Sequence, residues 1–93
     1  MTDRLTVDNP ISEAFEFSGT QHILIVGEGT ATIERSLNKK DFYPMTTERG
    51  ELMSFVGDKV LFNSEISSSQ RLFHRVVAET TTHIDVTVVK GRN

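Results

Sequence analysis

The stretch His22–Leu37, HILIVGEGTATIERSL, decides the fold class. Its first half contains four consecutive apolar residues, and its second half alternates apolar and polar positions with a period of two. Both patterns are typical of β-strands. The intervening Gly-Glu-Gly offers two residues that adopt positive φ readily, so the stretch predicts two strands joined as an antiparallel hairpin.

The remainder of the chain repeats this pattern of short strands and turns. Phe15 and Phe17 share one face of a strand that a Ser-Gly turn closes, and Val-Gly-Asp at 56–58 reads as the bend of a second hairpin. The serine-rich segment 67–70 reads as a polar loop, and helical signals are almost absent. The sequence therefore predicts an all-β fold, an antiparallel β-sandwich or jelly roll of seven to eight short strands with little or no helix.

Length and cysteine content indicate one small domain. Ninety-three residues fit an N-terminal arm at 1–10, a single β-sandwich domain at 11–90 and a tail at 91–93. The arm could form a short edge strand, and arms of this kind often lie on a neighbouring subunit. Such a domain buries only about 60% of the surface of its unfolded chain. The chain has no cysteine, so disulfides and thiolate metal sites are excluded, and oligomerisation is a common way for a small fold to gain stability.

Charge and hydropathy exclude two classes of partner. The formal net charge is −3, and apart from Lys39-Lys40 the basic residues are scattered, so no nucleic-acid partner is expected. The longest apolar run is four residues, far below the 18 or more of a membrane span, and the first ten residues lack the apolar core of a signal peptide. We expect no membrane partner and synthesis in a cytosol.

Two predicted strands carry apolar side chains on both faces. They lie around 23–26 and 72–77, and a two-layer sandwich shelters only one face of each strand. Each such side chain gains roughly 1.5–3 kcal/mol on burial, which favours a cover for the second face. The cover could be another part of the same chain or another subunit, and the candidate interface residues are Ile23, Ile25, Phe73 and Val77.

Arg35 breaks the alternation of its strand. It occupies a position in line with Ala31 and Ile33, on the face expected to point toward the core. We expect its aliphatic stem to pack near the end of that face, with the guanidinium reaching a carboxylate or the rim.

No residue constellation predicts catalysis, a metal or a cofactor. His22, His74 and His83 lie on three different segments that are not expected to converge as ligands. Ser54, with His74 and Asp85, could be assembled on paper into a nucleophile system, but no nucleophile-elbow sequence surrounds a serine.

Paired carboxylates for glycoside hydrolysis are equally weakly supported. They would have to come from Glu34, Asp41, Glu48 or Glu51, which fall on a solvent-facing strand face and in turns. We therefore expect these side chains to be solvated surface charges, and the chain to be no enzyme.

Phe42 and Tyr43 are the candidate contacts for a ligand or partner. They follow Asp41 at a predicted sheet margin, where an aromatic ring could stack on a sugar or fill a pocket of a neighbour. This pair supports the alternative that the chain is a small carbohydrate-binding β-sandwich module.

Several segments together resemble small virion structural proteins of tailed bacteriophages and prophages, the decoration and head-tail accessory proteins. The similarity covers residues 20–89 and is carried by GTATIERSLNKKDFYPMT, GELMSF, VLFN, RLFHRVVA and the closing strand. The resemblance implies a non-enzymatic β-sandwich that attaches to a capsid, neck or tail as a symmetric oligomer such as a trimer. It implies a place in the virion after synthesis in the bacterial cytoplasm.

Overall fold

The computed structural model describes residues 1–47 and 49–90, apart from the side chains of Phe17 and Ser69. This part of the chain contains no helix, and the all-β prediction is confirmed. The seven strands are β1 (Thr2–Leu5), β2 (Phe15–Gly27), β3 (Gly29–Ser36), β4 (Tyr43–Pro44), β5 (Ser54–Gly57), β6 (Val60–Glu79) and β7 (Ile84–Lys90).

Two long strands, β2 and β6, fold the sheet into a sandwich. All strand pairs are antiparallel, and the order is β1-β7-β2-β6-β3-β4, with β5 also paired to β3. The second half of β2 and the first half of β6 form one layer with β1 and β7. The other ends of β2 and β6 form the opposing layer with β3, β4 and β5. The predicted antiparallel sandwich is therefore confirmed.

The strands are not all short, because two predicted breaks lie inside β2 and β6. The Ser-Gly turn at 18–19 is instead a register shift between Phe17 and Gly19, where Gly19 has φ 89°. Serines 67 and 68 remain in the ladder, and the Ser67 hydroxyl pairs with that of Thr20 at 2.9 Å. Polar residues are compatible with a strand when one face is wet, since backbone pairing is independent of the side chain.

Neither of the two predicted hairpins forms among the described strands. Within the described residues β2 pairs with β6 and β7, and β3 pairs with β4, β5 and β6, so the chain crosses between layers at Glu28. It crosses again at Asp58-Lys59, between β5 and β6. The two crossings meet, since the Gly27 N–H donates to the Lys59 carbonyl at 2.8 Å.

The glycines at the first crossing are required by close backbone approach. Gly27 has φ 146°, and a Cβ built on it would lie 2.4 Å from the His83 carbonyl oxygen. Gly29 has φ 135°, and its Cβ would lie 2.3 Å from the Glu79 carbonyl oxygen. Because Gly27 and Gly29 have no side chain, the backbone of the crossing can pack against the turn between β6 and β7.

One hydrophobic core lies between the layers, and it contains Ile23 and Ile25, two of the four residues expected at an interface with another subunit. Ile23 and Ile25 have no exposed surface, because they alternate with Leu24 and Val26 and point between the layers. They offer nothing to a second subunit. The other members of the core cluster are Leu5, Phe15, Ala31, Ile33, Leu61, Ile66, Val76, Ala78, Ile84, Val86 and Val88.

The N-terminal segment forms an edge strand on the chain's own sheet. β1 pairs with β7, the Leu5 side chain is fully buried, and Arg4 forms an ion pair with Asp85 at 2.8 Å. The terminal amine donates to the Val88 carbonyl at 2.9 Å. At least the first five residues are thus held by this chain rather than by a neighbour. The tail at 91–93 lies outside the described residues.

Candidate functional site

A row of four side chains runs along one face of a layer, across four neighbouring strands, from the core to solvent. Phe15 is the register partner of His74, His74 of Arg35, and Arg35 of Tyr43. Partners in an antiparallel ladder lie on the same face of the sheet. The first two side chains are buried, Arg35 is half-buried and Tyr43 is exposed, so the row connects the core to solvent.

His74 holds Arg35 from the buried end of this row. The Arg35 Nε–H donates to His74 Nε2 at 3.0 Å, and the Phe15 ring stacks on the imidazole with centroids 5.8 Å apart. Burial first, and then the charge of Arg35, lowers the pKa of His74 to about 4. The imidazole is therefore neutral at physiological pH and accepts at Nε2, which places its proton on Nδ1.

An open groove of about 430 Å³ lies at the outer end of the row. Arg35 is the one charged side chain among the described residues that line it, and Tyr43 and Leu37 expose 66% and 74% of their surface beside it. The remaining lining residues are Ser36, Pro44, Met45, Thr46, Gln70 and Leu72. The described lining of the groove therefore combines apolar walls, hydrogen-bonding groups and one cation.

A side-chain-capped turn delivers Tyr43 to this groove. The buried Ser36 hydroxyl accepts from the Asn38 and Lys39 N–H groups, and Asn38 Oδ1 accepts from the Lys40 and Asp41 N–H groups. Such capping is the ordinary role of serine and asparagine in turns. These contacts shape the turn at 38–41, after which the chain pairs with β3 as β4.

Phe42 and Tyr43 do not act as a pair. The Arg75 guanidinium lies 4.0 Å from the centroid of the Phe42 ring, and its Nε donates to Glu34 at 2.7 Å. Arg75 lies on the face of β6 opposite to His74, so Phe42 is held on the other side of the layer. Of the two predicted contact residues, Tyr43 lines the groove.

The other two predicted interface residues lie on this opposite side, which we call the outer face and define by Ile11, Val56, Phe73 and Val77. Phe73 and Val77 are half-buried, and Lys39 Nζ lies 5.9 Å from the Phe73 ring centroid. Ile11 bridges to Val77 and is 44% exposed, while Val56 is 80% exposed. The outer face thus carries apolar surface that the chain covers only in part.

The three histidines have separate partners. His22 contacts the side-chain oxygen of Asn63, His74 binds Arg35, and His83 lies 3.9 Å from Asp85. In residues 1–47 and 49–90 no group of three potential metal ligands converges.

The other sequence candidates are similarly dispersed. Ser54, His74 and Asp85 lie on three different strands, β5, β6 and β7. The Ser54 hydroxyl pairs with that of Thr32 at 2.9 Å, and Asp85 binds Arg4. Glu34 pairs with Arg75, Asp41 accepts from Asn38, Glu51 is exposed, and Glu48 lies outside the described residues.

Within the described part, no helix is long and apolar enough to span a membrane.

The contact between Arg35 and His74 is the feature that the sequence indicated least clearly. The break in alternation at Arg35 signalled a cation on the core side, and the expected partner was a carboxylate or the rim. The partner is a neutral histidine 39 residues away. His74 shares its strand face with Leu72 and Val76, a pattern that also fits an ordinary core histidine.

Comparison of the chain with protein-family models, curated proteins and solved structures finds no match.

Proposed function

We propose that this chain is a non-enzymatic structural protein of a bacteriophage or prophage virion, which self-associates and decorates or cements a capsid, neck or tail. The apolar outer face is the single observation that carries the self-association. The resemblance of residues 20–89 to small virion proteins supplies the biological setting, and the two-layer β fold agrees with it.

The outer face is a continuous surface because its residues follow the register. Val77 is opposite Ile11 on one side and Thr32 on the other, and Thr32 is opposite Ser54, two residues before Val56. Isolated surface valines are common, but apolar groups that share one face of a sheet favour a protein contact.

A second copy of the chain is the occupant that fits this face. The chain carries a net charge of −3, which opposes the approach of identical copies in general. The central charges of the outer face, Glu34 and Arg75, instead neutralise each other at 2.7 Å and are mostly buried. The threonine, serine and valine side chains beside this ion pair can pack on the same groups of another copy, whether the assembly is a trimer or another closed ring.

A pair of matched variants tests this surface. Val56→Glu places a charge on the outer face at a side chain that is 80% exposed, so the fold should tolerate it. Val89→Glu makes the same change at a valine that is 57% exposed on the other layer. Light scattering should show assembly by the wild type and by Val89→Glu, and its loss in Val56→Glu. Equal behaviour of both variants would reject the outer face.

The virion setting needs a separate measurement. Quantitative mass spectrometry of particles purified from the source strain should find the chain at a fixed copy number per particle. Its absence from particles, with the chain present in the cell lysate, would reject this part of the proposal.

Carbohydrate binding is the second candidate, and the exposed Tyr43 ring beside the groove favours it. Aromatic rings stack on the apolar faces of sugars, and Gln70 and Thr46 supply hydrogen-bonding groups nearby. A glycan array probed with the wild type and with Tyr43→Ala tests it. Binding that the substitution abolishes would support this candidate, and no binding would reject it.

A further inference from the structure

We propose that the groove beside Arg35 binds a carboxylate carried on a ring, with the guanidinium pairing the carboxylate and the Tyr43 ring stacking on the body of the ligand. The site is independent of the outer face, because the two lie on opposite sides of the same layer. It also differs from a neutral-sugar site, since a negative charge is required.

The first step is the charge of Arg35. Three other arginines, Arg4, Arg71 and Arg75, form ion pairs with carboxylates at 2.7 to 2.9 Å. Arg35 is half-buried, yet no carboxylate of the described residues lies within ion-pair distance of it. A partly buried cation is screened less by solvent and salt than an exposed one, so it favours an anionic partner.

The second step is the state of the guanidinium. His74 accepts the Nε–H, and a neutral imidazole contributes no charge to compensate Arg35. The contact fixes one edge of the guanidinium and leaves the N–H groups of the two Nη nitrogens as donors. A fixed planar fork loses less conformational entropy on binding than a mobile one.

The third step is the surroundings of this charge. Tyr43 is directly opposite Arg35 across the ladder and is 66% exposed, while Leu37 and Leu72 supply apolar walls. A volume of about 430 Å³ is in the range of small-molecule sites. The walls suit a ring, and the exposed Gln70 amide can donate to its polar substituents.

The geometry favours a carboxylate over a phosphate. A guanidinium pairs a planar carboxylate through two parallel hydrogen bonds. The described lining contains one cation, which neutralises a carboxylate fully but leaves a phosphate dianion with excess charge.

The test is a titration of the ¹⁵N-labelled protein followed by NMR, with the Arg35 Nε–H and the Tyr43 and Leu37 amides as reporters. The probes are benzoate and glucuronate, and their neutral counterparts are benzamide and glucose, all at one ionic strength. We expect a saturable shift of all three reporters with at least one acid, and roughly tenfold weaker binding of its neutral counterpart. Benzoate alone would identify an aromatic acid, and glucuronate an acidic sugar.

Three variants locate the site. Arg35→Lys retains the charge but removes the fork, and it should weaken binding; Tyr43→Ala should do so without disturbing the fold, because its ring is largely exposed. Arg71→Gln removes an exposed arginine outside the groove and should bind like the wild type. No shift with either acid, equal shifts with sulfate, or unchanged binding by Tyr43→Ala would overturn the proposal.

Discussion

Arg35 donates its Nε–H to the fully buried His74 at 3.0 Å, so a cation at the edge of the groove is anchored to the core by a neutral imidazole. This contact joins the stability of the sandwich to the geometry of the groove. It also makes His74 a group whose protonation the folded chain resists.

The pH dependence of stability follows from the lowered pKa of His74. The unfolded chain takes up a proton near pH 6.5 that the folded chain accepts only near pH 4. The free energy of unfolding should therefore fall as the pH falls through this window, by about 3 kcal/mol, and be insensitive to this group above it. Urea titrations at a series of pH values measure the change.

Two variants isolate His74 in that experiment. His74→Gln keeps a neutral acceptor and should remove most of the decrease, whereas His83→Gln, at an exposed histidine, should retain it. Arg4 lowers the pKa of Asp85, so the stability that the Asp85 carboxylate contributes is lost only at pH values below this window. A decrease of the same size in His74→Gln would show that another group is responsible.

Ile25→Ala should destabilise the folded monomer. The side chain is fully buried among core residues of both layers, so its truncation costs about 2–5 kcal/mol in the free energy of unfolding. Val89→Ala, at a valine that is 57% exposed, should cost less than about 0.5 kcal/mol. Denaturant midpoints and slopes measure both, and a small effect at Ile25 would contradict its place in the core.

Adjacent aromatic residues should respond differently to truncation. Phe42→Ala removes the ring beneath the Arg75 guanidinium and should cost about 1–2 kcal/mol. Tyr43→Ala should change stability by less than about 0.5 kcal/mol, since its ring is mainly exposed. Thermal melts compare the two, and equal losses would place both rings in structural roles.

Gly27, at the first layer crossing, should tolerate no side chain. Gly27→Ala combines positive φ with a Cβ 2.4 Å from a backbone oxygen, and should cost at least about 3 kcal/mol. Gly50 also has positive φ, at 80°, but a Cβ there meets nothing within 4 Å. Gly50→Ala should therefore cost only about 1 kcal/mol, and similar losses in chemical denaturation would contradict the close approach at Gly27.

The sequence predicts the β class and one-face burial reliably where alternation is strict. Residues 30–33 and 84–88 alternate in the sequence and are buried accordingly in the structure. The pairing of strands is less accessible, because glycines that permit a tight bend do not identify the strands on either side of it. Gly27 and Gly29 fit a hairpin turn equally well, and only their approach to Glu79 and His83 identifies a layer crossing.

The candidate site is harder to predict than the fold for a similar reason. Arg35 stands out in its strand as a charged residue in line with apolar ones. Its partner His74 is 39 residues away in the sequence, and the register between β3 and β6 brings the two side chains together. Ile23 and Ile25 lie in the core rather than at the expected interface, because apolar side chains on both faces of a strand do not reveal which face is internal. The exposed apolar residues of the outer face instead include Ile11 and Val56, which are far apart in the sequence.

The molar mass of the wild-type chain in solution tests the proposed self-association most directly. Sedimentation equilibrium across a micromolar concentration series should give a mass that is a whole multiple of 10.4 kDa and that falls to the monomer value in Val56→Glu. A wild-type mass of 10.4 kDa at every concentration would contradict self-association through the outer face.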